Sequence, residues 1–267
     1  MIVGTNVGQT VDRGAGEAKA SPGMETPHLI LIGYGVTDSL QLTVESQRVL
    51  ARYGSAYSLG LPARLAAFLK SQRVKVTDVS ARLGADTDAA GGYLQVAHFL
   101  IERTAFERPV VLLSPGNPLI FNAIGRYLTL EGGRLGLAVQ SFQAVSQLDL
   151  IIAGIGLDIS TFGLQVFDAT RLVSRRQPLS PEVPLVLMHV GVLGKSGNDR
   201  VSMLDLTRYL ARCYPPEHIA TVLSLGPGGM TARGTRLDEL PRLTELLRPG
   251  SHLFIDAIRT LTEGTPA

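Results

Sequence analysis

The run Leu112-Leu113-Ser114-Pro115-Gly116-Asn117-Pro118-Leu119-Ile120-Phe121 constrains the fold more than any other stretch of the chain. The apolar segment Val110–Leu113 reads as a buried strand. It meets a turn in which Pro115 and Pro118 each fix a φ angle and Gly116 is free to take positive φ. A strand ending in so stiff a loop presents backbone groups at the carboxyl edge of a sheet, where open α/β sheets bind their ligands. A second edge of the same kind lies upstream, His28–Ile32 followed by Gly33-Tyr34-Gly35-Val36-Thr37-Asp38. A rigid surface turn is the competing reading of the first loop, and a plain strand-to-helix turn that of the second.

The pattern around these edges alternates. Strand-like segments are Leu29–Ile32, Ala56–Leu59, Val74–Val79, Val110–Leu113, Leu135–Val139, Leu164–Phe167, Leu185–Val190, Ile219–Leu225 and His252–Ile255. Helical spacing runs from Leu42 to Leu50, Leu61 to Leu69, Tyr93 to Thr104, Leu119 to Leu130, Val145 to Ala153, Ala169 to Val173, Val201 to Arg212 and Leu237 to Leu247. The polar, Gly/Ala-rich stretch Asp78–Gly92 is expected as a loop, as are Gln177–Pro184 and Gly191–Arg200. Repeated strand–helix alternation predicts an α/β fold, and a change of character near residue 140 predicts two α/β lobes. The expected division is a flexible tail over 1–27, an N-terminal lobe over 28–142 and a C-terminal lobe over 143–267.

Several function classes recede on composition and motif. With 267 residues, 45% of them hydrophobic and 18% charged, the chain can bury a full core. A net charge of +2 with no dense basic cluster beyond Arg175-Arg176 argues against a nucleic-acid partner. Cys213 is the single cysteine, which suits a reducing, cytoplasmic setting. The first residues lack the apolar core of a secretory signal, and no apolar run is long enough to span a bilayer. The five histidines have no metal-ligand spacing, so no metal is expected. Asp38 stands where a dinucleotide fingerprint needs its third glycine. Asp149 and Asp168 read as isolated carboxylates, and Gly226-Pro227-Gly228-Gly229 as a turn or a second wall of a cleft.

Taken in order, these loops resemble the tetrapyrrole (corrin/porphyrin) methylase superfamily. Its opening Val-Gly-x-Gly is similar to Ile32-Gly33-Tyr34-Gly35, and its Gly-Asp-Pro loop to Gly116-Asn117-Pro118. Its Pro-Gly-(Val/Ile)-Ser helix entry corresponds to Gln143-Ala144-Val145-Ser146, and its Leu-Phe-Ala-x-Leu-Gly-Ile-Asp to Ile151–Asp158. Within it, the likeness is greatest to borosin-type peptide backbone N-methyltransferases, through Gln165-Val166-Phe167-Asp168-Ala169-Thr170, His189-Val190-Gly191 and Tyr93-Leu94-Gln95-Val96-Ala97. The departures are Asn117 for an aspartate, Gln143-Ala144 for Pro-Gly, and a stretch before Tyr93 without the borosin tyrosines and arginine.

The resemblance implies two lobes of the tetrapyrrole methylase type with S-adenosylmethionine in the cleft between them, leaving as S-adenosylhomocysteine, without a metal. It implies cofactor contacts at Tyr34, Val36, Ser114, Gly116, Asn117, Ile120, Phe121, Ser146, Phe167 and His189. Tyr93 becomes the candidate general base for an amide acceptor. A homodimer is implied, as is N-methylation of a peptide or peptide-like natural product supplied in trans. Two other readings stand beside it: methylation of a tetrapyrrole or other small metabolite, and a degenerate scaffold that keeps the cleft without catalysis.

Overall fold

In the computed structural model, residues 26–37, 41–83, 89–194, 201–226 and 229–258 are described. Residues 1–25 of the tail expected over 1–27, Asp38, part of the loop before Tyr93, the segment 195–200 and the tip Pro227-Gly228 lie outside them.

Two five-stranded sheets follow one another along the chain. The first contains β1 (Leu29–Gly33), β2 (Ser55–Ser58), β3 (Lys75–Asp78), β4 (Val110–Ser114) and β5 (Val139–Phe142), in the order β3-β2-β4-β1-β5. Every pairing in it is parallel. β1 and β4 are the central strands, and all five residues of each are buried. That is why they read as unbroken apolar runs rather than as alternations.

Helices cover both faces of this sheet. Ile30 and Ile32 of β1 face α1 (Val44–Tyr53) and α2 (Ala63–Ser71) through Leu50, Leu65 and Leu69. Leu29 and Leu31 face α3 (Ala89–Arg103) and α4 (Ala123–Arg134) through Val96, Leu100, Ile124 and Leu128. α1 starts at an N-cap Thr43 that accepts from Ser46 N, and it ends at Gly54 with φ 67°. The helix expected from Leu119 begins later, because Asn122 caps it by accepting from Gly125 N. Leu119–Phe121 are thereby left as loop. The strand expected over Leu135–Val139 is also displaced, to Val139–Phe142. The stretch Asp78–Gly92 is less irregular than expected, with a 3-10 turn over Ser80–Leu83 and α3 already formed at Ala89.

The second sheet contains β6 (Gln165–Asp168), β7 (Leu185–Met188), β8 (Ile219–Gly226), β9 (Gly229–Arg236) and β10 (Ser251–Ile255), ordered β6-β7-β10-β8-β9. Only β6 and β7 run parallel; the other pairs are antiparallel. One face carries α7 (Ala169–Ser174), α8 (Met203–Leu210) and the 3-10 segment Leu237–Leu246, packed on Leu185, Leu187, Leu253 and Ile255. The other face receives α5 (Gln147–Ile155), whose Ile151 meets Val186, Met188 and Leu223. A short α6 (Ile159–Phe162), capped by Asp158, links α5 to β6.

Candidate active site

The two glycine loops at the carboxyl edges of β1 and β4 are laced together. Tyr34 N donates to Ser114 O at 3.0 Å, and Gly116 N donates to Gly35 O at 2.8 Å. Gly35 and Gly116 form an antiparallel bridge, each with positive φ (85° and 64°). A side chain on Gly33 would collide with the carbonyl oxygen of Gly116 and crowd Ala144 and Pro118. Gly33 is therefore required by space, with the Gly116 backbone and the Ala144 methyl group already against it.

Side chains complete the loops. Gln41, which sequence reasoning passed over, turns its Oε1 to Val36 N at 2.8 Å and Thr37 N at 3.2 Å. Asn117 is buried, and its Oδ1 accepts from Leu119 N at 2.9 Å. That turn needs an oxygen acceptor two residues ahead of an N–H, which asparagine supplies as well as aspartate. The Gly-Asn-Pro departure thus removes a charge without removing the loop's internal bond.

These bonds occupy the backbone donors of the turns. The turn N–H groups of Gly35, Val36, Thr37, Gly116 and Leu119 are engaged within the protein, so they are not open to a ribose or an amino-acid terminus. Nor does Tyr34 offer its ring: it belongs to the core between β1 and α1, and burial pushes its phenol up to about 12.

The loops still leave a gap. A Cβ placed on Gly116 would find Ser146 Cα at 3.9 Å and Val36 Cγ2 at 4.0 Å and nothing nearer. Three expected contact residues, from the β1 loop, the β4 loop and the start of α5, thus border one opening beside a glycine. Ser146 is 2% exposed and its hydroxyl is engaged, donating to Asp149 Oδ2 at 2.8 Å and accepting from Asp149 N. It offers the opening its backbone. Asp149, read as isolated, is the reciprocal half of this capping box.

Beyond Asn117 the loop turns apolar and outward. Leu119, Ile120 and Phe121 are 37–40% exposed, and Phe121 holds a left-handed φ of 50°. Its ring reaches the second lobe, edge-on to His189 at 5.9 Å between centroids. Phe121 and His189 therefore mark the seam where the lobes meet.

On the far side of the seam, β6 and β7 end together, with Asp168 in register with Met188. His189, the next residue, takes φ 63° and brings its Nδ1 to 3.0 Å from Asp168 Oδ2. Phe167 lies one residue before Asp168 and packs on the core beneath. Asp168 also caps α7, accepting from Arg171 N at 3.1 Å. Burial raises its carboxyl, but the hydrogen bonds from His189 and Arg171 outweigh that and hold it below the usual range. Asp168 is thus far from isolated. The sequence carried its signal as an acid preceding a short helix; the histidine partner becomes visible only once β6 and β7 are neighbours.

Behind His189 stands His252 of β10, fully buried, whose Nδ1 accepts from His189 N at 3.2 Å. Burial, with the nearby His189, lowers its imidazole to about 3, so it is neutral. The hairpin closed by Gly226 and Gly229 sits at this same edge of the second sheet, because β8 runs parallel in space to β7 through the antiparallel β10.

Tyr93 is the outlier among the expected residues. It lies one turn into α3, which enters from the carboxyl end of β3 and so begins on the same sheet edge as the glycine loops. It is 37% exposed and makes no ring contact or hydrogen bond to the other candidates among the described residues. Two hollows on the C-terminal lobe, about 200 Å³ beside Ser224 and Leu246 and about 720 Å³ between α7 and α8, are lined by none of the candidate residues. Among the described residues no group of three or more His, Cys, Asp or Glu is placed to hold a metal ion, and no helix is long and apolar enough to cross a membrane.

Comparison with known proteins places this arrangement. Residues 28–235 match the family model of tetrapyrrole (corrin/porphyrin) methylases. A methyltransferase/ribosomally synthesized type III borosin cyclic peptide precursor of Anomoporia bombycina is 24% identical over 201 residues, covering 73% of this chain and 23% of that protein. A type I borosin precursor of Coprinopsis marcescibilis is 22% identical over 180 residues, covering 67% and 46%. The chain spans less than half the length of these relatives. Among solved structures, uroporphyrin-III-C-methyltransferase from Thermus thermophilus has the same fold, with a TM-score of 0.58 at 22% identity over 86% of this chain and 94% of that one. Another structure of the Thermus enzyme, complexed with S-adenyl homocysteine, gives 0.57 at 18% identity over 86% and 92%. With the family model spanning most of its length, the chain belongs to the tetrapyrrole (corrin/porphyrin) methylases.

Proposed function

We propose that the protein is an S-adenosylmethionine-dependent methyltransferase that N-methylates a peptide or peptide-like natural product. The observation that carries the reading is the space beside Gly116, bordered by Val36 and Ser146, on a loop whose Phe121 meets His189 at the seam. Its fit to a nucleoside sulfonium is chemical as well as spatial. The atoms nearest a carbon added at Gly116 are the Ser146 backbone and a Val36 methyl group, neither of which repels a positive sulfur. The peptide acceptor is supported by the borosin precursors among the relatives.

When bound, the cofactor supplies a methyl carbon activated on a positive sulfur. The chain's own part is positional. The Gly35–Gly116 bridge fixes two loops against one another, and such a loop pair does not need reordering when a ligand enters. Phe121 covers the seam where His189 meets it from the other lobe. We place the division between lobes after Phe142, where the first sheet ends, and we propose a homodimer in reducing, cytoplasmic surroundings.

Calorimetry with S-adenosylhomocysteine tests the site. Binding by the wild-type protein, weakened at least tenfold in Gly116→Val, is expected. Full affinity in that variant removes the loop from the site. Mass spectrometry of synthetic peptides incubated with the protein and S-adenosylmethionine tests the acceptor. A gain of methyl groups on backbone nitrogen is expected, whereas transfer confined to a uroporphyrinogen probe supports the small-metabolite reading.

A further inference from the structure

We infer that Asp168 and His189 form the proton-accepting pair of this site, with Nε2 of His189 as the atom that takes the acceptor's proton. The inference rests on the methyltransferase reading above and names a group that it leaves open.

The geometry fixes the ring. Asp168 is ionised and can only accept, so the proton between it and His189 sits on Nδ1 of the histidine, at 3.0 Å. Neutral His189 then carries a bare Nε2. Among the described residues nothing hydrogen-bonds that nitrogen, and the side chain is 29% exposed, at the seam beside Phe121. The backbone is held as firmly as the ring. His189 keeps its left-handed φ of 63° while its N–H is bound by Nδ1 of His252. A histidine there costs more than a glycine would. Directly behind, Gly191 has no room for a side chain against the Arg248 carbonyl.

The groups facing His189 are few. Asp168 lies at the end of β6, with Arg171 one turn beyond on α7. His252 comes from β10 and is neutral, with its Nε2–H buried and unpartnered. Arg248 turns its guanidinium to the Glu245 carbonyl. Asp168 is therefore the one carboxylate set against the ring among these groups, which is the arrangement that orients a histidine base.

The step balances without another reagent. The N–H bond of the acceptor breaks and its proton passes to Nε2. The freed electron pair on nitrogen forms the new bond to the methyl carbon. The carbon–sulfur pair stays on sulfur, which becomes a neutral thioether. The imidazolium left behind is stabilised by Asp168 and releases its proton to water.

Ring-nitrogen NMR of ¹⁵N-histidine-labelled protein tests the tautomer. A proton on Nδ1 of His189 is expected, and the opposite tautomer overturns the inference. Acylation by diethyl pyrocarbonate, resolved by mass spectrometry, tests the bare nitrogen. His189 is expected to react while His252 does not, and S-adenosylhomocysteine is expected to slow the His189 reaction at least tenfold. An unreactive His189, or one unprotected by bound S-adenosylhomocysteine, overturns the inference. A protein that binds no S-adenosylhomocysteine overturns the methyltransferase reading instead, while the tautomer remains measurable. On peptides that the wild-type protein methylates, His189→Asn is expected to lower kcat by about 100-fold or more with KM within threefold, and Tyr93→Phe to cost less. The reverse ranking returns the role to the tyrosine.

Discussion

Gly33 and Gly116 show how one residue type serves different ends a few ångströms apart. At Gly33 the constraint is space, since a methyl group would strike the Gly116 carbonyl. At Gly116 an added carbon would meet only ordinary contacts, at 3.9 Å and 4.0 Å, and the constraint is conformation, with φ at 64°. The expected effects of alanine differ accordingly. Gly33→Ala must push the two loops apart, and a fall in thermal midpoint together with loss of S-adenosylhomocysteine binding is expected. Gly116→Ala strains its backbone by roughly 1–2 kcal/mol and projects its methyl group into the opening. Affinity should therefore fall further than that modest destabilisation accounts for. Thermal unfolding and calorimetry on both variants read the two quantities separately; equal losses of both in the two proteins would contradict the distinction.

At the scale of the element, α5 depends on its first turn. Ser146 and Asp149 bond reciprocally, and Asp149 N donates to Ser146 Oγ at 3.2 Å while Ser146 N donates to Asp149 Oδ2 at 2.7 Å. Each alanine substitution is expected to cost about 1 kcal/mol, and the pair together less than the sum, because either change disables the shared box. Urea denaturation of the two single variants and the double variant measures the coupling, and strict additivity would mean that the box does not act as a unit. The box also marks what a sequence shows and what it hides. A Ser-x-x-Asp spacing is local, and so are the apolar runs of β1 and β4. Those runs were legible because both faces of each strand are buried. β9 was not legible. It is an edge strand, Gly-Met-Thr-Ala-Arg-Gly-Thr-Arg, exposed along most of its length, so it has no buried face to impose alternation. α6, a single turn, has too few residues for a period. The glycine loops were visible from their turn chemistry, and the structure joins them. Asp168 and His189 stand 21 residues apart in the chain, and only the parallel register of β6 and β7 brings them together.

For the molecule as a whole, the buried histidine beneath the seam ties stability to pH. His252 has its pKa lowered from 6.5 to about 3 in the folded state, chiefly by desolvation. Between those values the unfolded chain binds a proton that the folded protein does not. Stability contributed by this group is therefore complete above pH 6.5 and is lost as the pH falls from 6.5 toward 3, with a limiting slope of about 1.4 kcal/mol per pH unit. Asp168 acts in a lower window. Its folded pKa is depressed, so its contribution is present above the ordinary carboxylate value of 3.8 and disappears only as the pH falls below that toward the folded value. The two windows make the sources separable. His252→Asn keeps an oxygen where Nδ1 accepts from His189 N and removes the titrating ring. It is expected to flatten the stability profile between pH 6.5 and 4, whereas Asp168→Asn leaves that slope in place. Denaturant unfolding at half-unit intervals across this range measures both slopes. A wild-type profile already flat between pH 6.5 and 4 would show that His252 takes up its proton without unfolding, and that water reaches a ring the structure buries.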